Sequence, residues 1–400
     1  SVLRHNAEAL AREYSDADNR EFVAIARASL AEAQRVGVTD ALGDVGACPR
    51  CVMPMRVIGE RPHWWKARVL SDLLLAELRE AHLEGDRARV RALVESAIAI
   101  TRCLIDQDNL FAHLIAESLV SKLCEEIRAQ GSHRPFDLET GEELIRVLGS
   151  IDVRASAHRA IESLERAMRD TIQRMYTRDP DGDGRFVPSA CRAMPYSEMP
   201  EPVVDWPEPV IEFGGLILPS RRWGEHEITR VSELLHSVLD APRSARTAIF
   251  DAPQYEESLP LTARFLGWWV GSAHRVIDRC ERAEMFIDGT RLVAAIHVYR
   301  ARHGAYPRSL ADLVPDVLAG LPQDPYAPDG AFRYRVLPDG GFALYSVGRD
   351  GADNDGHFYP QFIERALEEL GDYGSGFDFV LTEVDASVQI EDGEQGAGSE

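Results

Sequence analysis

Between Leu70 and Leu123 the apolar residues return every three or four positions, and nothing else in the chain constrains its fold so strongly. Leu70, Leu73, Leu74, Leu78 and Ala81 fall on one stripe of a helix. Gly85 stops that helix, and Asp86 is placed to cap the next. The second carries Val90, Leu93, Val94, Ala97, Ile98, Thr101 and Leu104; a third starts near Leu110 and carries Leu114, Ile115, Leu119 and Leu123. Amphipathic helices joined by short links must pack as antiparallel neighbours. No second copy of this unit lies in register, so the spacing predicts an irregular helical-hairpin array.

The rest of the chain is placed around that array. An Ala- and Glu/Arg-rich helix is expected over Asn6–Arg35, and a helix over Ala155–Tyr176 with Ala157, Ile161, Leu164, Met168, Ile172 and Met175 buried. A Pro-rich connection follows at 194–220, then helices at Gly224–Leu239 and Thr262–Arg302, the second interrupted near Gly289. "AFRYRVL" and "GFALYSV" read as two strands of a hairpin closed by Pro338, Asp339, Gly340 and Gly341. Four regions result: 1–62, an N-terminal helix and loop; 63–285, a helical domain; 286–360, a small α+β module; and 361–400, an extension whose acidic, Gly-rich end from Asp385 is expected to be disordered. The fold class is mainly α.

The chain carries 44 basic and 66 acidic residues among 400, a formal charge of −22. That balance argues against nucleic acid and against an anionic membrane surface, both of which need a basic footprint. No run reaches the roughly 18 apolar residues of a membrane span; the nearest, Leu259–Ala273, is short and contains Arg264. A chain that begins at Ser1 is expected either to follow a removed signal or anchor or to be the soluble part of a longer protein. Of the six cysteines only Cys48 and Cys51 are close, in "CPRC". Without a second knuckle for zinc, a plain loop pair or local disulfide is the first reading, with redox or metal roles as alternatives.

Two loops concentrate carboxylates. "YSVGRDGADNDGH", Tyr345–His357, supplies Asp350, Asp353, Asn354 and Asp355, with Gly351 and Gly356 to allow sharp turns. Hard cations take several oxygens on a tightly turning backbone, so the loop is a Ca²⁺ candidate; the alternative is a solvated hairpin end. "DPDGDGRF" places Asp179, Asp181 and Asp183 at the first, third and fifth positions of a Ca²⁺ loop, with Gly184 at the sixth. Ala190 stands at the twelfth position, where a bidentate Glu belongs, so a helix-ending turn is an equal reading. No G-x-S-x-G, H-E-x-x-H or phosphate-binding glycine loop appears. Glu225, His226 and Glu227 adjoin but point apart on a helix, and His297 reads as packing. The tryptophan pairs of "HWWKAR" and "LGWWVG" also read as packing, with a binding platform as the alternative.

The C-terminal module resembles the major pseudopilin of type II secretion systems. The matching residues are Tyr299, Gly304, Tyr306, Pro307, Leu310, Leu313, Pro322, Asp324, Pro325, Tyr334, Gly341, Leu344, Tyr345, Ser346, Gly348, Asp350 and Gly351. They follow the order helix, "G-x-YP", "LPxDP", strand, strand, "YSxGxDG" over Leu292–His357. The resemblance implies a pilin-like head with a Ca²⁺ site at Asp350, Asp353 and Asp355. The family's apolar assembly helix is replaced here by several helices. The whole layout also resembles large envelope protein families of Planctomycetes-like bacteria, which implies no activity. Together these lead to the expectation of a non-enzymatic, extracytoplasmic scaffold or interaction protein with protein partners and a calcium-stabilised head. A component of a type II secretion or pilus-like assembly is the alternative, and an enzyme with a site in the helical groove the third reading.

Overall fold

The computed structural model describes residues 84–176 except 109 and 134, 220–259, 265–356 except 339, and 379–382. It also describes Ser71, Leu74, Leu75, Glu77, Leu78 and Ala81. The expected helix at Asn6–Arg35, Cys48 and Cys51, the "HWWKAR" pair, the Asp179, Asp181 and Asp183 loop, and the tail from Asp385 lie outside the described residues. So does the Pro-rich connection up to Ser220, where description resumes.

The protein is mainly α. The described helices are α1 (Arg87–Ile105), α2 (Leu110–His133), α3 (Leu138–Leu148), α4 (Val153–Met175), α5 (Arg221–Asp240), α6 (Arg246–Ile249), α7 (Ala252–Ser258) and α8 (Phe265–His303). Most start where a short polar side chain accepts the orphan amide of the first turn. Asp86, Asp137, Asp152, Ser220 and Asp251 accept from the backbone N–H of Arg89, Thr140, Ala155, Trp223 and Gln254. Gly85 adopts φ +73° and ends the helical residues before α1, as its position predicts. α3 is a helix that sequence periodicity passed over, and α6 and α7 are further short additions.

α8 organises everything else. Its 39 residues run unbroken through Gly289, where an interruption was expected. The glycine is there for packing: a Cβ on Gly289 would lie 2.4 Å from Leu381 Cδ1. α2, α3 and α4 lie against α8. Trp269, Val270, Ala273, Val276, Ile277 and Cys280 face one hydrophobic cluster, built with Val120, Leu123, Ile161, Ile228 and Leu235 of the surrounding helices. Met285, Leu292, Val293, Ala295 and Ile296 face a second, built with Leu313, Leu318, Phe332, Leu344, Val347 and Leu381. Apolar burial of roughly 25 cal/mol per Å² drives both clusters, so this single helix is stabilised from two sides.

Over the last third of α8 lies a small antiparallel sheet in the order β1 (Arg333–Val336), β2 (Phe342–Ser346), β3 (Phe379–Val380). Tyr334 pairs with Leu344 and Arg335 with Ala343. Every β2 residue is buried, whereas β1 turns two residues to solvent. β3 comes from the C-terminal extension and pairs Val380 with Tyr345. The hairpin closes through Leu337 N–H to Gly341 O at 2.9 Å, with Gly340 at φ +84°.

Candidate functional site

The Asp/Gly loop leaves β2 at Val347 and turns on four residues of positive φ: Gly348, Gly351, Asp355 and Gly356. Asp355, at φ +58°, is the only non-glycine residue of this kind among the described residues. The three candidate carboxylates share this loop but face separate partners. Asp350 Oδ1 accepts from Ala352 N–H at 3.1 Å. Asp353 Oδ1 accepts from Tyr345 OH and Asp355 N–H, both at 3.0 Å, and its Oδ2 from Arg333 Nε at 3.1 Å. Asp355 lies 3.8 Å from Arg335 Nη1, and its carbonyl accepts from Arg335 Nη2 at 3.2 Å. Arg333 also holds both oxygens of Asp329 at 3.1 and 3.0 Å. Two guanidiniums on alternate residues of β1 thus face Asp353 and Asp355. Among the described residues no group of three or more His, Cys, Asp or Glu side chains is placed to hold a metal ion. An ion held by Asp353 would compete there with Arg333.

Beneath the loop lies a buried polar latch. Asp324 is 2% exposed and accepts from Tyr326 N–H at 2.9 Å, Ser346 Oγ–H at 2.9 Å and Val347 N–H at 3.3 Å. Burial pushes its carboxyl above the usual aspartate range against the pull of these donors. Asp324 and Ser346 are far apart in sequence and belong to "LPxDP" and "YSxGxDG"; their bond joins the loop before β1 to the end of β2. Tyr334 OH donates to Pro307 O at 2.7 Å and ties "G-x-YP" to β1.

A second polar concentration sits where α8 meets the turn after α5 and the loop before β1. His274, Asp278 and Glu281 share one face of α8. Glu281, 1% exposed, is gripped by Arg243 at 3.0 Å and Arg246 at 2.6 Å from the turn after α5. Arg243 also stacks 5.2 Å from the Tyr326 ring, and Arg349 approaches Asp278 at 3.6 Å. Burial holds the Glu281 carboxyl above its ordinary value despite both arginines. Tyr326 OH and His274 Nε2 are buried without a hydrogen-bond partner among the described residues. Sequence reading missed this seam, because its partners Arg243, Arg246, Tyr326 and Arg349 lie far away in the chain.

His297 behaves as a packing residue. Its Nδ1 accepts from Phe136 N–H at 3.3 Å, and its ring meets those of Phe136 and Phe342 edge-on. Burial lowers its imidazole to about 4, so it is neutral near pH 7. Trp269 of "LGWWVG" is fully buried in the helical cluster. Glu225, His226 and Glu227 do point apart: Glu227 is buried on Arg230, while His226 is exposed. Elsewhere α8 is tied by Glu117, fully buried between Arg279 at 3.3 Å and Arg282 at 2.7 Å. Among the described residues no helix is long and apolar enough to cross a membrane. Compared with family models, curated proteins and solved structures, the chain matches none.

Proposed function

We propose that this protein is a non-enzymatic scaffold or interaction protein of an extracytoplasmic compartment, and that its C-terminal unit is a pilin-like head mounted on a helical body. One observation carries this reading: from Met285 onward α8 contributes to the cluster beneath the sheet, while its part from Trp269 to Cys280 is sealed among helices. A helix-backed hairpin ending in an Asp/Gly loop is also the order in which the pseudopilin resemblance runs. The head offers partners the outer edge of β1, where Val336 is 47% exposed. An edge strand presents unpaired backbone groups that a partner strand can take up. The test is a photo-crosslinking residue at Val336 and, as control, at Leu138 on the helical body, in native envelope fractions. A discrete adduct specific to Val336 supports the reading; equal labelling from both positions refutes it.

Calcium belongs to the same proposal, supported by the resemblance and by the left-handed backbone at Asp355 and its neighbouring glycines. The arginine pairs make its test definite. Ion binding to the folded state alone raises the melting temperature by mass action, and Arg333→Gln, by freeing Asp353, must then lower the Ca²⁺ concentration needed. Melting curves that superimpose in millimolar Ca²⁺ and in EGTA, for parent and variant alike, end the calcium part and leave the scaffold reading to the crosslinking result.

A further inference from the structure

α4 and α5 pack side by side, and near one end of the pair three titratable side chains form a hydrogen-bonded row. His158 Nδ1 lies 2.7 Å from His236 Nδ1, with the rings stacked at 4.9 Å between centroids and 15° between planes. The other nitrogen, His158 Nε2, lies 2.9 Å from Asp240 Oδ1. Proton counting limits what this row can be. The Asp240 carboxylate only accepts, so His158 Nε2 carries a hydrogen. Between the two Nδ1 atoms there is room for one hydrogen. With the pair neutral, His236 donates it; with one added proton, His158 becomes an imidazolium between Asp240 and a neutral His236, and the bond survives. A further proton puts N–H groups on both Nδ1 atoms, and the bond becomes a repulsion between like charges.

We propose that His158, His236 and Asp240 form a proton-operated latch that holds the C-terminal end of α5 on α4 and opens when both imidazoles are charged. The groups facing the pair fit that role. Glu162 and Glu165 of α4 act on His236 along with Asp240. Glu165 is taken up by Arg169 at 2.8 Å and Ser232 at 2.7 Å. From α8, Glu284 is occupied by Arg154 and Glu281 by Arg243 and Arg246, so neither compensates a second charge on the imidazoles. Burial, and then the neighbouring His158, push His236 below its ordinary value. A group so depressed leaves the latch intact above the ordinary imidazole range, about 6.5, and releases it as pH falls below that range.

Opening reaches beyond the helix pair. Three and six residues past Asp240 come Arg243 and Arg246, which grip Glu281 and, through Arg243, stack on Tyr326. Arg154 also fastens this end of α5, donating to Leu239 O and holding Glu284, and Val238 and Leu239 are buried in the core beside it. Arginine does not titrate in this range, and the buried Glu281 carboxyl responds to acid on its own account, so the histidines' share is the part that a His236 variant removes. The inference stands whatever the head binds.

The experiment is amide hydrogen exchange on the full chain, as protection factors corrected for intrinsic rates, at pH 7 and pH 5. In the parent, Ala241 N–H, bonded to Ser237 O and Val238 O, is expected to lose protection severalfold between pH 7 and pH 5, the direction that linkage to a depressed imidazole requires. His236→Asn, whose amide replaces the Nδ1 contact without titrating, is expected to keep its pH 7 protection. A variant that loses protection as the parent does overturns the proposal. Should the variant not fold, ¹⁵N titration of the parent imidazoles decides: two coupled steps for the pair support the latch, and two independent ordinary titrations overturn it.

Discussion

Asp324→Ala is the substitution whose cost is most fully prescribed by the structure. The side chain accepts from two backbone N–H groups and one hydroxyl in a site that is 2% exposed. Removing it leaves those donors buried and unpartnered, at about 1–3 kcal/mol each. Val347 contributes least, since its bond is long at 3.3 Å, and Ser346 can rotate to seek another acceptor. The sum expected is about 3 kcal/mol, a factor of roughly 150 in the folded to unfolded ratio. Asp324→Asn separates geometry from charge. Burial already holds this carboxyl above its usual range, so its charge is costly in the fold, and the amide keeps one acceptor. The Asn variant is therefore expected within about 1 kcal/mol of the parent. Urea unfolding monitored by near-UV circular dichroism, with exchange of the Tyr326 and Val347 amides, reads both variants. An Ala variant within about 0.5 kcal/mol of the parent would refute the reasoning, as would an Asn variant that costs as much as Ala.

Acid is expected to destabilise the fold through two buried neutral imidazoles, His113 and His297, each lowered to about 4 chiefly by burial. The unfolded chain binds protons there from about pH 6.5 downward and the folded chain does not, so stability is complete above that range and falls with pH. Linkage gives about 2 kcal/mol for each at pH 5 relative to pH 8; imidazole resonances that titrate near 6.5 in the native state would contradict it. Gly289→Val should push Leu381 from its seat, since even a Cβ would lie 2.4 Å from Leu381 Cδ1. The expected result is faster exchange at Leu381 N–H, bonded to Leu344 O at 2.9 Å, with the cluster around Trp269 unchanged.

Much of the helical frame was legible because periodicity and caps are local. The Leu93, Ala97 and Leu104 stripe of α1 and its Asp86 cap needed only neighbouring residues, and α4 and α5 were placed to within a few positions of their ends. α3 escaped because it is short; its one clear signal, Asp137 before Thr140, is a cap without a long stripe. The hairpin was legible from its turn residues, but β3 was not, because two residues gain strand character only by pairing with β2. Gly289 was misjudged for a physical reason: helix propensity counts glycine as a cost, whereas the close approach of Leu381 makes it necessary. The loop carboxylates were visible as a group, yet their partners Arg333 and Arg335 lie on another strand, and no spacing rule connects them. The His158 and His236 pair and the Glu281 seam were illegible for the same reason, since each joins residues brought together only by packing.

Hydrogen exchange along α8 tests the central claim, that one continuous helix is the shared axis of body and head. The amides from Met285 to Val298 should be as protected as those from Val270 to Ile277 and should be lost in the same cooperative transition. A gap in protection around Gly289, or a head half that opens at much lower denaturant than the helical half, would mean two units joined by a hinge and would contradict the account.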